Sequence, residues 1–169
     1  MADLLFYAAI MVILLAALTG RSRNGAPRMF FGYSYFTVLT SSMQREIPRG
    51  SLVLVRRTDG GEIRVGDDIT YMMDASSTVT HRVIEIYEDY NNSGERGFLT
   101  QGVNNTAPDP NVVYAPNVVG VVLFHVPIAG AALAYLGENV HIVLVLFGLL
   151  IALSFVLNKL LNERTEKHE

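Results

Sequence analysis

Residues 78–87 read TVTHRVIEIY, and this stretch decides the fold class. Its odd-numbered positions, from Val79 to Tyr87, alternate with its even-numbered ones, so the two sets point to opposite faces of an extended strand. Apolar and polar side chains are imperfectly segregated between the sets, but most residues are β-branched, which favours a strand. The stretch therefore predicts a β-strand that carries a histidine, His81, near its middle.

Other short β-rich runs surround this strand and are separated by turns. Glycine and aspartate cluster at Asp59-Gly60-Gly61 and at Val65-Gly66-Asp67, and such clusters are typical of turns. The β-rich runs lie at Phe36–Leu39, Ser51–Val55, Ile69–Met73, Phe98–Val103 and Val112–Val126. Because no part of residues 30–130 shows the helical period, an all-β domain is predicted there.

The composition of the 169-residue chain excludes several classes of function. With no cysteine, the chain has no disulfide, thiol nucleophile or cysteine-bound metal. Its net charge of −3 provides no strong positive field, which argues against nucleic acid as a partner. Half of the residues are apolar, and the excess is concentrated at the two ends of the chain.

The first apolar end predicts a transmembrane helix at residues 4–20. Residues 4–18 read LLFYAAIMVILLAAL and carry no charge. Their length is near the short end of what crosses about 30 Å of hydrocarbon. The alternative is a cleaved signal peptide. That alternative needs basic residues before the apolar run, whereas only Asp3 precedes it as a charged side chain. An uncleaved anchor is therefore favoured.

The second apolar end predicts another transmembrane helix at residues 140–157, followed by a tail at residues 158–169. Its one ionisable residue, His141, lies at its edge. The alternative, a buried helix of a soluble fold, is disfavoured because apolar residues occur on every side. Basic residues follow both apolar segments, at 21–28 and in the tail, so the charge rule leaves the orientation open.

Hydroxyl chemistry is suggested by residues 38–52, VLTSSMQREIPRGSL, where an apolar run ends on two serines. Nucleophilic catalysis without cysteine requires a hydroxyl, a base that takes its proton and a group that orients the base. His81 is a candidate base, and Asp109, between two prolines of a polar loop, is a candidate acid. Taken alone, a strand histidine is more often structural and a loop aspartate more often solvated.

Five motifs, in order, resemble those of the type I signal peptidases. The resemblance extends over about residues 32–130. The motifs are VLTSSMQREIPRGSLVLV at 38–55, VGDDITY at 65–71, THRVIEI at 80–86, FLTQGVNNTAPDP at 98–110 and VVGVVLFHVPIAG at 118–130. The third resembles the motif that carries the general base in the histidine-dependent branch, found in the endoplasmic reticulum, archaea and some Gram-positive bacteria.

The resemblance implies a role for each matching residue. Ser42, directly before Met43, matches the nucleophile, and His81 matches the general base. Asp109 matches the acid that orients His81. Thr40 matches a residue whose hydroxyl forms the oxyanion hole together with the backbone N–H of Ser42.

The sequence also departs from the family pattern. Ser41 stands where glycine is usual, so the backbone there cannot require a glycine-only conformation. Val103 stands where the loop usually has its first aspartate, which leaves the acid role to Asp109 alone. The first lysine of the chain is Lys159, so a serine–lysine dyad is excluded between the two apolar segments.

The family resemblance implies a membrane-bound serine endopeptidase that removes signal peptides from translocated preproteins after small residues. Implied partners are secretory preproteins and the lipid bilayer, and accessory subunits are compatible with it; no metal or organic cofactor is implied. The catalytic domain would be extracytoplasmic and the tail cytoplasmic, in the cell membrane or, in a eukaryote, the endoplasmic reticulum.

Two other classes of function compete with this interpretation. A non-catalytic membrane-anchored β module that assists secretion or surface assembly would keep the fold but lose one of Ser42, His81 and Asp109, and all three are present. A self-cleaving repressor protease of related β fold would use a lysine base and a DNA-binding domain. The chain offers neither between its apolar segments.

Overall fold

The structure is a computed structural model that describes Tyr7, Met11 and residues 29–165, with the side chains of 158 and 160–165 excepted. The chain divides into two compact units, Arg21–Ala132 and Met1–Gly20 with Leu133–Glu169. The first unit carries the sheet and the candidate site. The second carries the apolar ends.

The first unit is built on one seven-stranded antiparallel sheet, with the strand order β1-β2-β7-β3-β4-β5-β6. The strands are β1 Tyr33–Thr37, β2 Leu52–Arg56, β3 Asp68–Met72, β4 Thr78–Tyr87, β5 Gly97–Gln101, β6 Val113–Tyr114 and β7 Val118–Val126. Single 3-10 turns lie at Gly60–Glu62, Tyr90–Asn92 and Ala115–Asn117. The prediction of a β-rich middle domain is confirmed.

Strand β4 has the predicted bounds but not the predicted alternation. Val83 pairs with Thr100 and Glu85 with Leu99, so Ile84 is an extra residue in a β-bulge. A bulge inverts the facing of all later residues. His81 and Val83, which precede the bulge, are buried on one face. After the bulge, Ile86 rather than Tyr87 continues that face against the core.

Two hydrophobic clusters form the core. The first contains Ile63, Ile69, Tyr71, Val83, Phe98 and Val113, and the second contains Met43, Ile47, Val53, Val55 and Val119. β3 contributes to both, because Ile69 and Tyr71 belong to the first cluster while Met72 packs against the second. His81 is on the strand that supplies Val83 to the first cluster, and Ser42 directly precedes Met43 of the second. Packing of the two clusters thus positions the backbone that carries His81 and Ser42.

The strand predicted at Val112–Val126 is wrong as one element. The structure has β6 and β7 there, separated by the 3-10 turn Ala115–Asn117. Pro116 explains the break, because it has no backbone N–H to donate to a sheet ladder. The strand predicted at Phe36–Leu39 ends instead at Thr37, although the Val38 N–H still donates to the Ser51 carbonyl at 2.9 Å.

Two α-helices follow the sheet. Helix α1, Ala129–Glu138, occupies a stretch for which the sequence predicts no element. Helix α2, Val140–Thr165, includes the predicted span and also most of the predicted tail, which is helical as far as Thr165. Within the described part of the chain, α2 is the one helix long and apolar enough to cross a membrane, over Val140–Leu157.

The predicted helix at residues 4–20 lies outside the described residues, apart from Tyr7 and Met11, which are both helical. The Tyr7 hydroxyl lies 2.9 Å from that of Ser154, and its ring meets Phe147 edge-on at 6.3 Å between centroids. Tyr7 therefore packs against α2 within the second unit.

Candidate active site

The structure brings together the three residues that the sequence singled out for hydroxyl chemistry. The Ser42 Oγ lies 2.9 Å from Nε2 of His81, and Nδ1 of His81 lies 2.6 Å from Oδ2 of Asp109. Ser42 lies in the segment between β1 and β2, His81 in β4, and Asp109 in the loop after β5. The hydroxyl, imidazole and carboxylate thus form one chain of hydrogen bonds.

Ser42 is held by its backbone and by its neighbours. Met43 is 1% exposed, and its carbonyl accepts the N–H of Ile47 at 2.7 Å, which closes a turn over the second cluster. The Ser42 carbonyl accepts the N–H of Asn104 at 2.8 Å, from the loop that later carries Asp109. Ser41 is exposed and is not among the residues with positive φ, in agreement with the expectation that no glycine is needed there.

Gly102 allows this close approach of the two loops. A Cβ at residue 102 would lie 2.7 Å from the Ser42 carbonyl oxygen and 2.8 Å from the Ser42 Cβ. Carbon atoms do not approach backbone this closely, so a side chain here would displace Ser42. Gly102 lies within the fourth motif, but its approach to Ser42 was not predicted.

A Gly102→Ala substitution is therefore expected to lower kcat for peptide cleavage by about 100-fold, because roughly 1 Å of misplacement has that effect on a positioned nucleophile. Gly148→Ala is the control, since a Cβ there meets nothing within 4 Å. Steady-state kinetics of both variants checks the expectation. Equal loss in the two variants, or full activity of Gly102→Ala, would contradict it.

His81 lies where β4 extends past the end of β5. The β4–β5 ladder begins at Arg82 opposite Gln101, so residues 78–81 pair with β3 on one side only. His81 is 8% exposed, and its two ring nitrogens are directed at Ser42 and Asp109. When the Asp109 carboxylate accepts from Nδ1–H, Nε2 is left free to accept a proton.

Asp109 is surrounded by donors that the sequence analysis missed. Its Oδ2 accepts from the Thr100 hydroxyl at 2.6 Å and from the Tyr71 hydroxyl at 3.2 Å, in addition to His81. Its backbone N–H donates to the Thr100 carbonyl at 2.8 Å. Tyr71 and Thr100 are therefore positioning residues, because they fix the carboxylate that contacts the imidazole.

The surroundings of Tyr71 also shift the pKa of its phenol. Burial raises the pKa of Tyr71 to about 12, and the negative charge of Asp109 acts in the same direction. The phenol therefore stays protonated, and donates to Asp109, at any pH near neutrality.

Tyr71→Phe is expected to lower kcat by about 10-fold, since a hydrogen bond to a carboxylate is lost. It should also change the stability at alkaline pH. The pKa of tyrosine is about 10 in the unfolded chain and about 12 at Tyr71 in the folded protein. Wild type therefore loses stability as the pH rises from 10 toward 12, by at most about 1.4 kcal/mol per pH unit, and the variant lacks this loss. Thermal unfolding of both proteins from pH 9 to 12 measures this, and parallel curves would contradict the assignment.

An ion-pair network joins the Ser42 segment to the His81 strand. The Arg82 guanidinium donates to both carboxylate oxygens of Glu46 and to those of Asp68, at 2.9 and 3.0 Å for Asp68. Hydrogen bonding to Arg82 lowers the pKa of Glu46, and both carboxylates raise the pKa of Arg82. Arg82, which directly follows His81, thus connects strand β4 to Glu46 in the segment after Ser42.

Thr40 lies beside the nucleophile position. Its hydroxyl oxygen is 3.2 Å from the Ser42 Oγ, and its side chain is exposed. Val103 packs against the second cluster and its N–H lies 3.4 Å from the Met43 sulfur, so it takes a structural place where the family has an aspartate. Among the described residues, no group of three or more His, Asp or Glu side chains could hold a metal ion.

A hydroxyl, an imidazole and a carboxylate, connected in this order, are the arrangement that serine hydrolases use. No protein-family model matches the chain. It is 39% identical over 115 residues to signal peptidase I W of Bacillus subtilis, covering 68% of this chain and 58% of that relative. The chain thus spans less than two thirds of that relative's length.

Two yeast proteins, both named signal peptidase complex catalytic subunit SEC11, are also similar. The one from Debaryomyces hansenii is 28% identical over 67% of this chain and 71% of its own length. The one from Yarrowia lipolytica is 29% identical over 70% and 72%. These similarities support the same branch of the type I signal peptidases that the motif resemblance implied, the branch of signal peptidase I W and SEC11.

Proposed function

We propose that the chain is a membrane-bound signal peptidase I, a serine endopeptidase that removes N-terminal signal peptides from translocated preproteins after small residues. The observation that carries the proposal is the continuous chain of hydrogen bonds from the Ser42 Oγ through His81 to Asp109. The names of the curated relatives support it.

In the proposed reaction, the Ser42 Oγ attacks the carbonyl carbon of the −1 residue while Nε2 of His81 takes the hydroxyl proton. Asp109 stabilises the imidazolium through Nδ1–H. The Thr40 hydroxyl and the Ser42 N–H donate to the oxyanion, and such donors each lower a barrier by about 3 kcal/mol. His81 then protonates the leaving amine, and water activated by His81 hydrolyses the acyl-enzyme and frees the signal peptide.

The proposed binding site of the signal peptide is a groove of about 390 Å³ between two chain segments. Residues 36–40 and Ser42 line one side, Met73 and residues 76–80 line the other, and we call it the acyl-side groove. Since residues 78–81 pair with β3 on one side only, an extended peptide can add along their second edge. The side chains at −1 and −3 then share one face of the added strand.

We propose that the segments 4–20 and 140–157 both span the membrane. The apolar window Val140–Leu157 is 6% buried, which suits lipid contact. Because preproteins are cut after translocation, the catalytic domain faces the extracytoplasmic side, or the endoplasmic reticulum lumen in a eukaryote, and the tail from residue 158 is cytoplasmic. The two SEC11 relatives are named as subunits of a complex, which supports accessory subunits here.

Protease protection of a C-terminal tag tests this orientation. In intact cells, we expect external protease to leave the tag uncut, because the proposed tail lies behind the membrane, and to cut it after permeabilisation. Cleavage of the tag in intact cells would refute the two-span arrangement.

Processing of a preprotein by the purified full-length chain in lipid vesicles tests the proposed activity. With an Ala-x-Ala cleavage sequence, we expect one new N-terminus after the −1 residue, identified by mass spectrometry. A matched preprotein with leucine at −1 should remain uncut. Failure to cut the first preprotein would favour a non-catalytic β module over a signal peptidase. Equal cutting of both preproteins would contradict the proposed cleavage after small residues.

A further inference from the structure

A second pocket lies on the other side of the His81–Asp109 pair. It has a volume of about 300 Å³ and lies between the β3–β4 hairpin and residues 109–113. We call it the imidazole-side pocket. His81 and Asp109 line this pocket and not the acyl-side groove, whereas Thr40 and Ser42 line only the groove.

The pocket and the groove are neighbours, because Met73 and Val79 line both. Apart from the shared Val79, they draw on side chains of opposite faces of β4. Thr78 and Thr80 line only the groove, whereas His81 lines only the pocket. A peptide that crosses the site can therefore contact the groove with one part and the pocket with another.

The proton path decides which part of the peptide reaches the pocket. The acyl part of the substrate becomes bonded to the Ser42 Oγ and stays beside Thr40. The leaving amine must lie within hydrogen-bond reach of Nε2 of His81, because this nitrogen returns the proton to it. The chain after the cleaved bond therefore starts at the imidazole, and the imidazole-side pocket is the cavity that His81 lines.

We propose that the imidazole-side pocket is the subsite for the first side chains of the mature protein, at +1 and +2; this inference rests on the proposed function. Its walls include the apolar side chains of Met73, Val79 and Val112, and Asn111 and Asn117 supply amides. No Lys or Arg lies among the described residues that line it, and Asp109 does. The subsite therefore favours uncharged side chains of medium size and disfavours Asp and Glu.

The competing occupant is the −2 side chain of the signal peptide. In an extended strand, this side chain points away from the face shared by −1 and −3, so it is also directed away from the acyl-side groove. The two occupants differ in the substrate positions at which a change in the pocket alters selectivity.

The experiment uses the full-length chain in lipid vesicles and four sets of peptides, varied at −3, −2, +1 or +2 with all else constant. Asn117→Phe fills the pocket from an exposed position, and Asn111→Phe does so from a second one. The matched control is Ser76→Phe, since Ser76 is exposed and lines only the acyl-side groove.

For wild type, we expect kcat/KM to be about 10-fold or more lower with Asp than with Ala at +1. In Asn117→Phe and Asn111→Phe, the kcat/KM for a peptide with Leu at +1 or +2, divided by that for the peptide with Ala, should fall by about 10-fold. A factor of this size is expected when a pocket no longer accepts one apolar side chain. Ser76→Phe should change the selectivity at −3 instead.

A change at −2 without a change at +1 or +2 would overturn the proposal in favour of the competing occupant. Unaltered selectivity at every position in both pocket variants would overturn it as well. If wild type cuts none of the peptides, the proposed function fails and the subsite fails with it. Cleavage with unaltered mature-side selectivity leaves the proposed function standing and removes only the subsite.

Discussion

Ser42→Ala and His81→Ala are each expected to lower kcat for preprotein cleavage by about 10⁴-fold or more, because the members of such a triad act as one unit. Without the Ser42 Oγ there is no atom to form the acyl-enzyme. Nε2 of His81, at 2.9 Å, is the one ring nitrogen among the described residues that contacts that oxygen, so the variant without His81 loses the base. Processing is measured by single-turnover assays in vesicles.

Two matched variants make this prediction specific. Ser41→Ala removes the neighbouring hydroxyl, which is exposed and contributes nothing to the proposed chemistry, so activity should be retained. His81→Lys should not restore activity, because a lysine amine at this position of β4 approaches Ser42 from a different geometry than an imidazole. Full processing by Ser42→Ala or His81→Ala would refute the proposed mechanism.

Asp109→Asn is expected to lower kcat by about 10³- to 10⁴-fold with a small change in stability. The amide keeps the shape of the carboxylate but can present an N–H to Nδ1. The imidazole would then hold its proton on Nε2, and it could no longer accept one from Ser42. The free energy of unfolding changes little because a hydroxyl can accept as well as donate, so the Thr100 hydroxyl at the same carboxylate oxygen can accept the second amide N–H.

The matched control for this variant is Asp74→Asn. Asp74 is an exposed carboxylate of the β3–β4 hairpin that accepts the N–H groups of Ser76 and Ser77, each at 2.8 Å. Loss of its charge should weaken these hydrogen bonds in the hairpin and leave kcat within a few fold of wild type. If Asp109→Asn were as active as Asp74→Asn, the acid role of Asp109 would be wrong.

The strand content of the middle domain could be predicted because turn residues and β-branched runs are local signals. β4 was predicted with its observed bounds for this reason. The bulge at Ile84 could not be predicted, since it arises from the pairing of β4 with β5, a contact between distant parts of the chain. Helix α1 was missed because residues 129–138 are apolar but too short to predict a membrane span.

Some residues of the candidate site could likewise be predicted from local sequence, and others could not. Ser42, His81 and Asp109 could be selected because motif order carries them. Tyr71 and Thr100 lie within the same motifs, but their contact with Asp109 depends on which face each strand turns toward that loop. The approach of Gly102 to Ser42 likewise exists only after β5 and the Ser42 segment have packed together.

The central claim, that His81 activates Ser42 as a nucleophile, is tested most directly by covalent labelling. Full-length protein in vesicles is treated with a penem or a peptide phosphonate, and the adduct is located by mass spectrometry of proteolytic peptides. The account predicts a single adduct on Ser42 that is absent in Ser42→Ala and strongly slowed in His81→Ala. An adduct on another residue, an equal rate in His81→Ala, or no adduct in a preparation that cleaves preprotein would contradict it.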